Sequence, residues 1–173
     1  GDAENGFVIT NSLASKWEIV KKSASKNPDG IHADVPAGAE FTLIRQDGLE
    51  YYGKVKEGTK GRITWETEGG QSIGNEEIQP GTYTLTETKA PQGYILSAET
   101  WTLTFTSKGT IPEVKKGDTV YTVEGVKDEA TGVVTYTYIF ENEALYDLPS
   151  AGGPGIYMYM VGGVLLMSAG VLM

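Results

Sequence analysis

Residues 83–94 read YTLTETKAPQGY, and the fold turns on how this stretch is read. Taken with Thr82, its first half alternates strictly. Thr82, Thr84, Thr86 and Thr88 fall on one side of an extended strand, and Tyr83, Leu85 and Glu87 on the other. The apolar row therefore ends in a carboxylate. Pro91 and Gly93 then turn the chain, and Tyr94 restarts an apolar segment. A glutamate on a core-facing row costs several kcal/mol unless it is neutral or partnered, so Glu87 calls for an explanation.

Two further stretches share this pattern. In WEIVKKS, residues 17–23, Trp17, Ile19 and Lys21 share one face while Glu18, Val20 and Lys22 share the other. In the run from Val133 to Glu141 and on to Asn142, the residues Tyr136, Tyr138, Phe140 and Asn142 share a face. One apolar row ends in an amine and the other in an amide.

Working outward, Ala39 to Arg45, Tyr51 to Val55 and Arg62 to Thr67 read as strands. So does Thr100 to Thr106, where Trp101, Leu103 and Phe105 alternate with threonines. Asn27-Pro28-Asp29-Gly30 supplies the turn chemistry of a loop from Ala24 to Gly38. Asp47-Gly48, Gly69-Gly70 and Pro80-Gly81 separate the later strands. Thr119 to Val126 and Val133 to Glu141 are predicted to form a hairpin across Asp128 to Gly132. Many short strands with Gly and Pro turns predict an all-β, antiparallel sandwich.

Composition narrows the function. The chain has 173 residues and a formal charge of −9, which does not suit the binding of nucleic-acid phosphates and reads as a source of solubility. It has no cysteine, so a disulfide framework and a thiolate metal site are excluded. Its single histidine, His32, falls in a predicted loop without a second His or a Cys, so neither a metal site nor a catalytic triad is expected, and no cofactor. Tyr51, Tyr52 and Trp65 could line a binding face but read better as core.

The end of the chain changes character. Residues 148–155 read LPSAGGPG, which cannot be regular structure. Ile156 to Met173 then carries no charge over 18 residues, the lower edge of a membrane span, although no Lys or Arg follows Lys127. Beginning at Gly1 and ending inside an apolar run, the chain reads as a piece of a longer protein.

Lysine, glutamate and asparagine together suggest a reaction. A lysine amine can attack the side-chain carbonyl of an asparagine, expel ammonia and leave an amide cross-link. In water the amine is protonated and the amide is a poor electrophile. Burial lowers the pKa of an amine and raises that of a carboxyl group, so both can become neutral. A protonated carboxyl can polarise the amide and shuttle protons, and the fold supplies the effective concentration.

These residues also carry a family resemblance. YTLTETKAPQGY resembles the E-box of Cna B-type domains, the prealbumin-like modules of Gram-positive surface proteins and pili. GAEFTL, residues 38–43, resembles their second strand; WEIVKKS resembles the first, and YIFENE, residues 138–143, the last. The resemblance implies that Lys21 is the amine, Glu87 the catalytic acid and Asn142 the acceptor, in a single internal turnover rather than an enzymatic cycle. Lys22 is the rival for Lys21, and Ser23 stands where the family usually has an Asp. The implied fold is an antiparallel Greek-key sandwich of the Ig-like or prealbumin-like kind, followed by a C-terminal transmembrane helix.

Leu148, Pro149, Ser150, Ala151 and Gly152, ahead of the apolar span, resemble an LPxTG-type sorting signal, with Ala151 where Thr is usual. This implies cutting by sortase between Ala151 and Gly152 and joining to peptidoglycan or to other pilin subunits. Before that step the chain would be held in the membrane. FVITN, residues 7–11, resembles the closing strand of an upstream repeat, with Asn11 as its acceptor. The expected organisation is a remnant or linker at 1–15, the sandwich at 16–144, a sorting linker at 145–155 and a truncated membrane segment at 156–173. The expected role is a wall-anchored, extracellular stalk. The alternative is an adhesin module that binds host protein or glycan itself. WEIVKKS lacks the proline of the pilin motif whose lysine joins the next subunit, so a minor pilin or another wall protein is expected rather than a shaft subunit.

Overall fold

A computed structural model describes residues 14–145. The sorting signal at Leu148 to Gly152, the apolar run at 156–173 and Asn11 lie outside the described residues. Among those described, no helix is long and apolar enough to cross a membrane.

The described residues form twelve strands in two sheets. The smaller sheet contains β1 (Ser15–Lys26), β2 (His32–Asp34), β11 (Gly125–Lys127) and β12 (Val134–Asn142), in the order β11-β12-β1-β2. The larger contains β3 (Glu40–Arg45), β4 (Glu50–Val55), β5 (Ile63–Thr67), β6 (Ser72–Ile73), β7 (Gly81–Lys89), β8 (Thr100–Phe105), β9 (Glu113–Lys116) and β10 (Thr119–Val120), in the order β10-β9-β8-β7-β3-β4-β5-β6. A single short 3-10 turn, Asn75–Glu77, interrupts the described strands.

Period-two alternation makes the core. Trp17 and Ile19 of β1, Phe41 and Leu43 of β3, Tyr83 and Leu85 of β7, Trp101, Leu103 and Phe105 of β8, and Tyr138 and Phe140 of β12 all point between the sheets. Tyr51 and Trp65 are buried with them, as their expected core role requires. Tyr52 faces the other way and donates to Glu50 Oε2 at 2.7 Å. The buried position 53 in β4 needs a glycine, because a Cβ there would lie 2.7 Å from Ile63 Cγ2 and 2.9 Å from Trp65 Cζ3.

The structure corrects three sequence expectations. The sandwich is not wholly antiparallel, because β1 and β12 pair in parallel. No hairpin joins these distant strands, so nothing forces them to run in opposite directions. The predicted Thr119 to Val126 strand is split. Thr119 and Val120 pair with β9 in one sheet, Gly125 to Lys127 pair with β12 in the other, and Tyr121 and Val123 pack against the core as the chain crosses. The 24–38 loop contains β2, which pairs with β1 at Lys22 and Lys26. Its turn chemistry is as expected: Asn27 Oδ1 accepts from the Asp29 and Ile31 amides at 3.0 and 2.9 Å.

Candidate functional site

Parallel pairing sets Lys21 opposite Phe140 and Ser23 opposite Asn142. Residues two apart on a strand share a face, so Lys21 and Asn142 are diagonal neighbours on the core side of the small sheet. β7 lies in the larger sheet and brings Glu87 to them across the sandwich. All three are buried, Lys21 at 0 % exposure and Glu87 and Asn142 at 2 %.

Glu87 bridges the other two. Its Oε1 lies 3.6 Å from Lys21 Nζ, and its Oε2 accepts from Asn142 Nδ2 at 2.7 Å. The Ser97 amide donates to the same Oε2 at 2.8 Å, and Asn142 Nδ2 also donates to the Ile95 carbonyl at 2.7 Å. Lys21 Nζ donates to the Phe140 carbonyl at 3.1 Å and sits 4.7 Å from the centre of the Phe140 ring. Glu87 Oε1 and Asn142 Oδ1 are buried without a hydrogen-bond partner. Burial pushes the Lys21 pKa down to about 8, although the Glu87 carboxylate pulls the other way.

This arrangement has a definite chemical capacity. Moving one proton from Lys21 to Glu87 removes both charges from the core and frees the nitrogen lone pair. The carboxyl group then faces an amine through one oxygen and an amide nitrogen through the other. Proton uptake at Oε1 and release at Oε2 would link a nucleophile to a leaving group.

Lys22 points to the outer face and pairs there with Asp34, away from Glu87. Ser23 is buried at 2 % exposure and turns its Oγ to the Ser25 amide at 3.2 Å. Among the described residues there is no cluster of His, Asp and Glu able to hold a metal.

Sequence reasoning missed several supporting groups. The Ile95 carbonyl and the Ser97 amide are backbone atoms, which leave no mark in residue type. Gly61 has φ +86°, and its carbonyl accepts from the Lys21 amide at 2.7 Å. A Cβ on Gly61 would lie 2.3 Å from the Lys21 carbonyl oxygen. His32 braces the site from β2: its Nδ1 lies 2.8 Å from the Ser23 carbonyl and its Nε2 lies 3.1 Å from Glu141 Oε1. A lone histidine in a predicted loop gave no hint of this.

A family model described as SpaA, prealbumin-like fold domain, matches residues 29–120, more than half of the chain. The chain belongs to this prealbumin-like family. The matched segment contains Glu87; Lys21 and Asn142 lie on the flanking strands. Among solved structures, the chain is similar to a C-terminal fragment of the pilus adhesin SpaC from Lactobacillus rhamnosus GG, at 22 % identity and TM-score 0.42, covering 77 % of this chain and 46 % of that one. It is also similar to the group B streptococcus pilus 2b backbone protein, at 21 % identity and TM-score 0.37, covering 78 % and 42 %. A third similar structure is the pilus adhesin RrgA from Streptococcus pneumoniae, at 26 % identity and TM-score 0.41, covering 67 % and 12 %. The chain thus spans less than half the length of each of these three. No curated protein sequence matches it.

Proposed function

We propose that this chain is a structural stalk module of a Gram-positive surface or pilus protein, clamped by an amide bond between Lys21 and Asn142. The observation that carries this reading is the Glu87 carboxyl bridging the buried Lys21 amine and Asn142 amide. Lys21 Nζ attacks Asn142 Cγ, Glu87 carries a proton from the amine to Nδ2, and ammonia departs. The turnover is single and internal, so the module is a substrate of its own fold rather than an enzyme.

The placement of such a bond suits a stalk. β1 and β12 are the first and last described strands, and their parallel pairing means that a pull on the two chain ends loads them in shear. A bond between Lys21 and Asn142 would carry that load covalently and leave the intervening residues out of its path. By the chain-entropy estimate used for disulfides, closing a loop of this length is worth about 5 kcal/mol. Attachment of the Leu148 to Gly152 segment by sortase, to peptidoglycan or to another pilin subunit, completes the proposal. It rests on the sequence resemblance alone. Burial of Tyr51 and Trp65 removes two of the aromatics that a direct adhesin face would have used.

The deciding experiment is the intact mass of the purified chain. A mass one ammonia below the sequence value is expected, restored to full by Glu87→Ala, with peptide mapping placing the bond between Lys21 and Asn142. A full mass in the unaltered chain would refute the cross-link.

A further inference from the structure

The Asn142 amide has a closed side and an open side. On the closed side, Lys21 is packed against Phe140 with no exposure. On the open side lies a cavity of about 350 Å³ that reaches solvent. Asn142 forms part of its wall, together with Ile95, Ala98, Glu99, Glu141 and Glu143, whereas Lys21 does not. The Asn142 nitrogen is already hydrogen-bonded to one of these wall residues, through the Ile95 carbonyl. The Asn142 side chain is almost wholly buried at this wall, and its Oδ1 has no partner.

We propose that this cavity is the leaving-group port of the cross-linking reaction, taking the Asn142 nitrogen as ammonia and releasing it as ammonium. The proposal rests on the Lys21–Asn142 reading given above. In the step itself, the Lys21 nitrogen lone pair forms a bond to Asn142 Cγ. One amine proton passes through Glu87 to Nδ2, and the Cγ–Nδ2 bond breaks with its electron pair remaining on nitrogen. The products are one new amide and one ammonia, and Glu87 regains its starting protonation. The Ile95 carbonyl holds the nitrogen throughout, because it accepts from the same atom before and after the bond breaks. In the cavity the ammonia takes a proton from water. The carboxylates of Glu99, Glu141 and Glu143 favour the resulting cation, and ammonium has no lone pair with which to attack the new amide. The reverse reaction is thereby suppressed at the point of exit. Glu99 and Glu141 also raise the Lys21 pKa, so the same charges that draw the product out oppose freeing of the amine.

The test follows the loss of ammonia by intact mass over time in full chains made by cell-free translation. Ala98→Trp places bulk in the port without touching Lys21, Glu87 or Asn142. It is expected to slow conversion roughly tenfold while the circular dichroism spectrum stays unchanged. Conversion at the unaltered rate in a folded Ala98→Trp chain overturns the port and leaves the cross-link standing. A wild-type chain that never loses ammonia removes the cross-link itself, and the port with it. Should Ala98→Trp fail to fold, the unaltered chain decides the matter in ammonium chloride against sodium chloride at equal ionic strength. Ammonium is expected to slow conversion about twofold by occupying the carboxylate-lined mouth. The combined Glu99→Gln, Glu141→Gln and Glu143→Gln variant is expected to lose that difference. Equal rates in the two salts for the unaltered chain overturn the proposal.

Discussion

At one end of the sandwich Trp17, Tyr83 and Phe105 pack ring against ring, with Trp17 and Phe105 centred 5.3 Å apart and Tyr83 and Phe105 5.7 Å apart. At the other end the same strands β1 and β7, with β12, deliver Lys21, Glu87 and Asn142. The aromatic end satisfies its hydroxyls at the rim: Tyr83 Oη donates to the Gln79 carbonyl at 2.8 Å, and Tyr51 Oη accepts from the Gln79 amide at 3.3 Å. The polar end leaves Glu87 Oε1 and Asn142 Oδ1 without a hydrogen bond. Three indole N–H groups, on Trp17, Trp65 and Trp101, also lack one. Each of those is a single orphan on a large apolar ring that gains far more from burial. The two orphan oxygens instead belong to one compact cluster with a buried amine. An unreacted cluster of this kind costs stability, whereas a reacted one has shed both the charge and a nitrogen. The contrast sets an end built for packing against an end whose buried groups match what the proposed cross-link would need.

Cutting each end should separate these roles. Asn142→Ala is expected to abolish the ammonia deficit and to lower unfolding free energy by about 5 kcal/mol in chemical denaturation. Phe105→Ala is expected to cost about 3–5 kcal/mol through its cavity, with the ammonia deficit retained. If Asn142→Ala were as stable as wild type, or if Phe105→Ala also restored the full mass, the two ends would not differ in the way described.

A smaller change should reach the polar end through the backbone. Gly61→Ala sets a methyl group against the Lys21 carbonyl at a positive φ. A loss of about 1–3 kcal/mol is expected, with slower loss of ammonia because β1 must shift under Lys21. Unchanged kinetics would show that Lys21 is positioned by β12 alone.

Much of the polar end was legible in the sequence because strand periodicity is strict. Tyr83, Leu85 and Glu87 had to share a face, as did Trp17, Ile19 and Lys21, so only the partner rows were unknown. In the larger sheet β3, β4, β5, β7 and β8 likewise follow from alternation and turn residues, whereas the two-residue β6, Ser72–Ile73, is too short to show a period. Direction and crossing were not legible. Nothing in residues 15–26 or 134–142 states that they run parallel, since that depends on which edges remain free after the rest has paired. The crossing at Tyr121 to Val123 reads as a continuous strand because its apolar residues alternate normally while its backbone changes partner. β9, Glu113–Lys116, offers only Val114 to the core and was invisible for that reason. Gly61, the Ile95 carbonyl and the Ser97 amide act through backbone position, which no side-chain pattern encodes.

Proton linkage sharpens the comparison further, using Asn142→Ala, which keeps Lys21 as a free amine. Folded Lys21 releases its proton near pH 8, and the unfolded residue near its ordinary 10.5. Between those values the unfolded chain binds more protons, so the stability of this variant rises with pH across that window. Tyr83 at the aromatic end works in the opposite direction, because burial raises its pKa to about 12 and its contribution is lost above its ordinary 10.0. Denaturation between about pH 8 and 10 is therefore the clean interval. The unaltered chain is expected to show no such rise, because the proposed cross-link would consume the amine. A flat profile for Asn142→Ala would mean that Lys21 is not held as a depressed, buried amine.

The smallest expected effect lies on the outer side of the polar end. His32 ties β2 to the Ser23 carbonyl and to Glu141, on the two strands that carry the amine and the amide. Its removal in His32→Ala takes away one contact to a backbone carbonyl and one to a partly exposed carboxylate, together about 1 kcal/mol. Because β1 and β12 are already paired along their length, from Ser15 with Val134 to Ser23 with Asn142, the cross-link should still form. The variant should thus carry the full ammonia deficit and show only a slightly lowered midpoint in denaturant. If it instead stopped short of complete conversion, the brace from β2 would belong to the reactive geometry, and the polar end would extend to the surface of the small sheet.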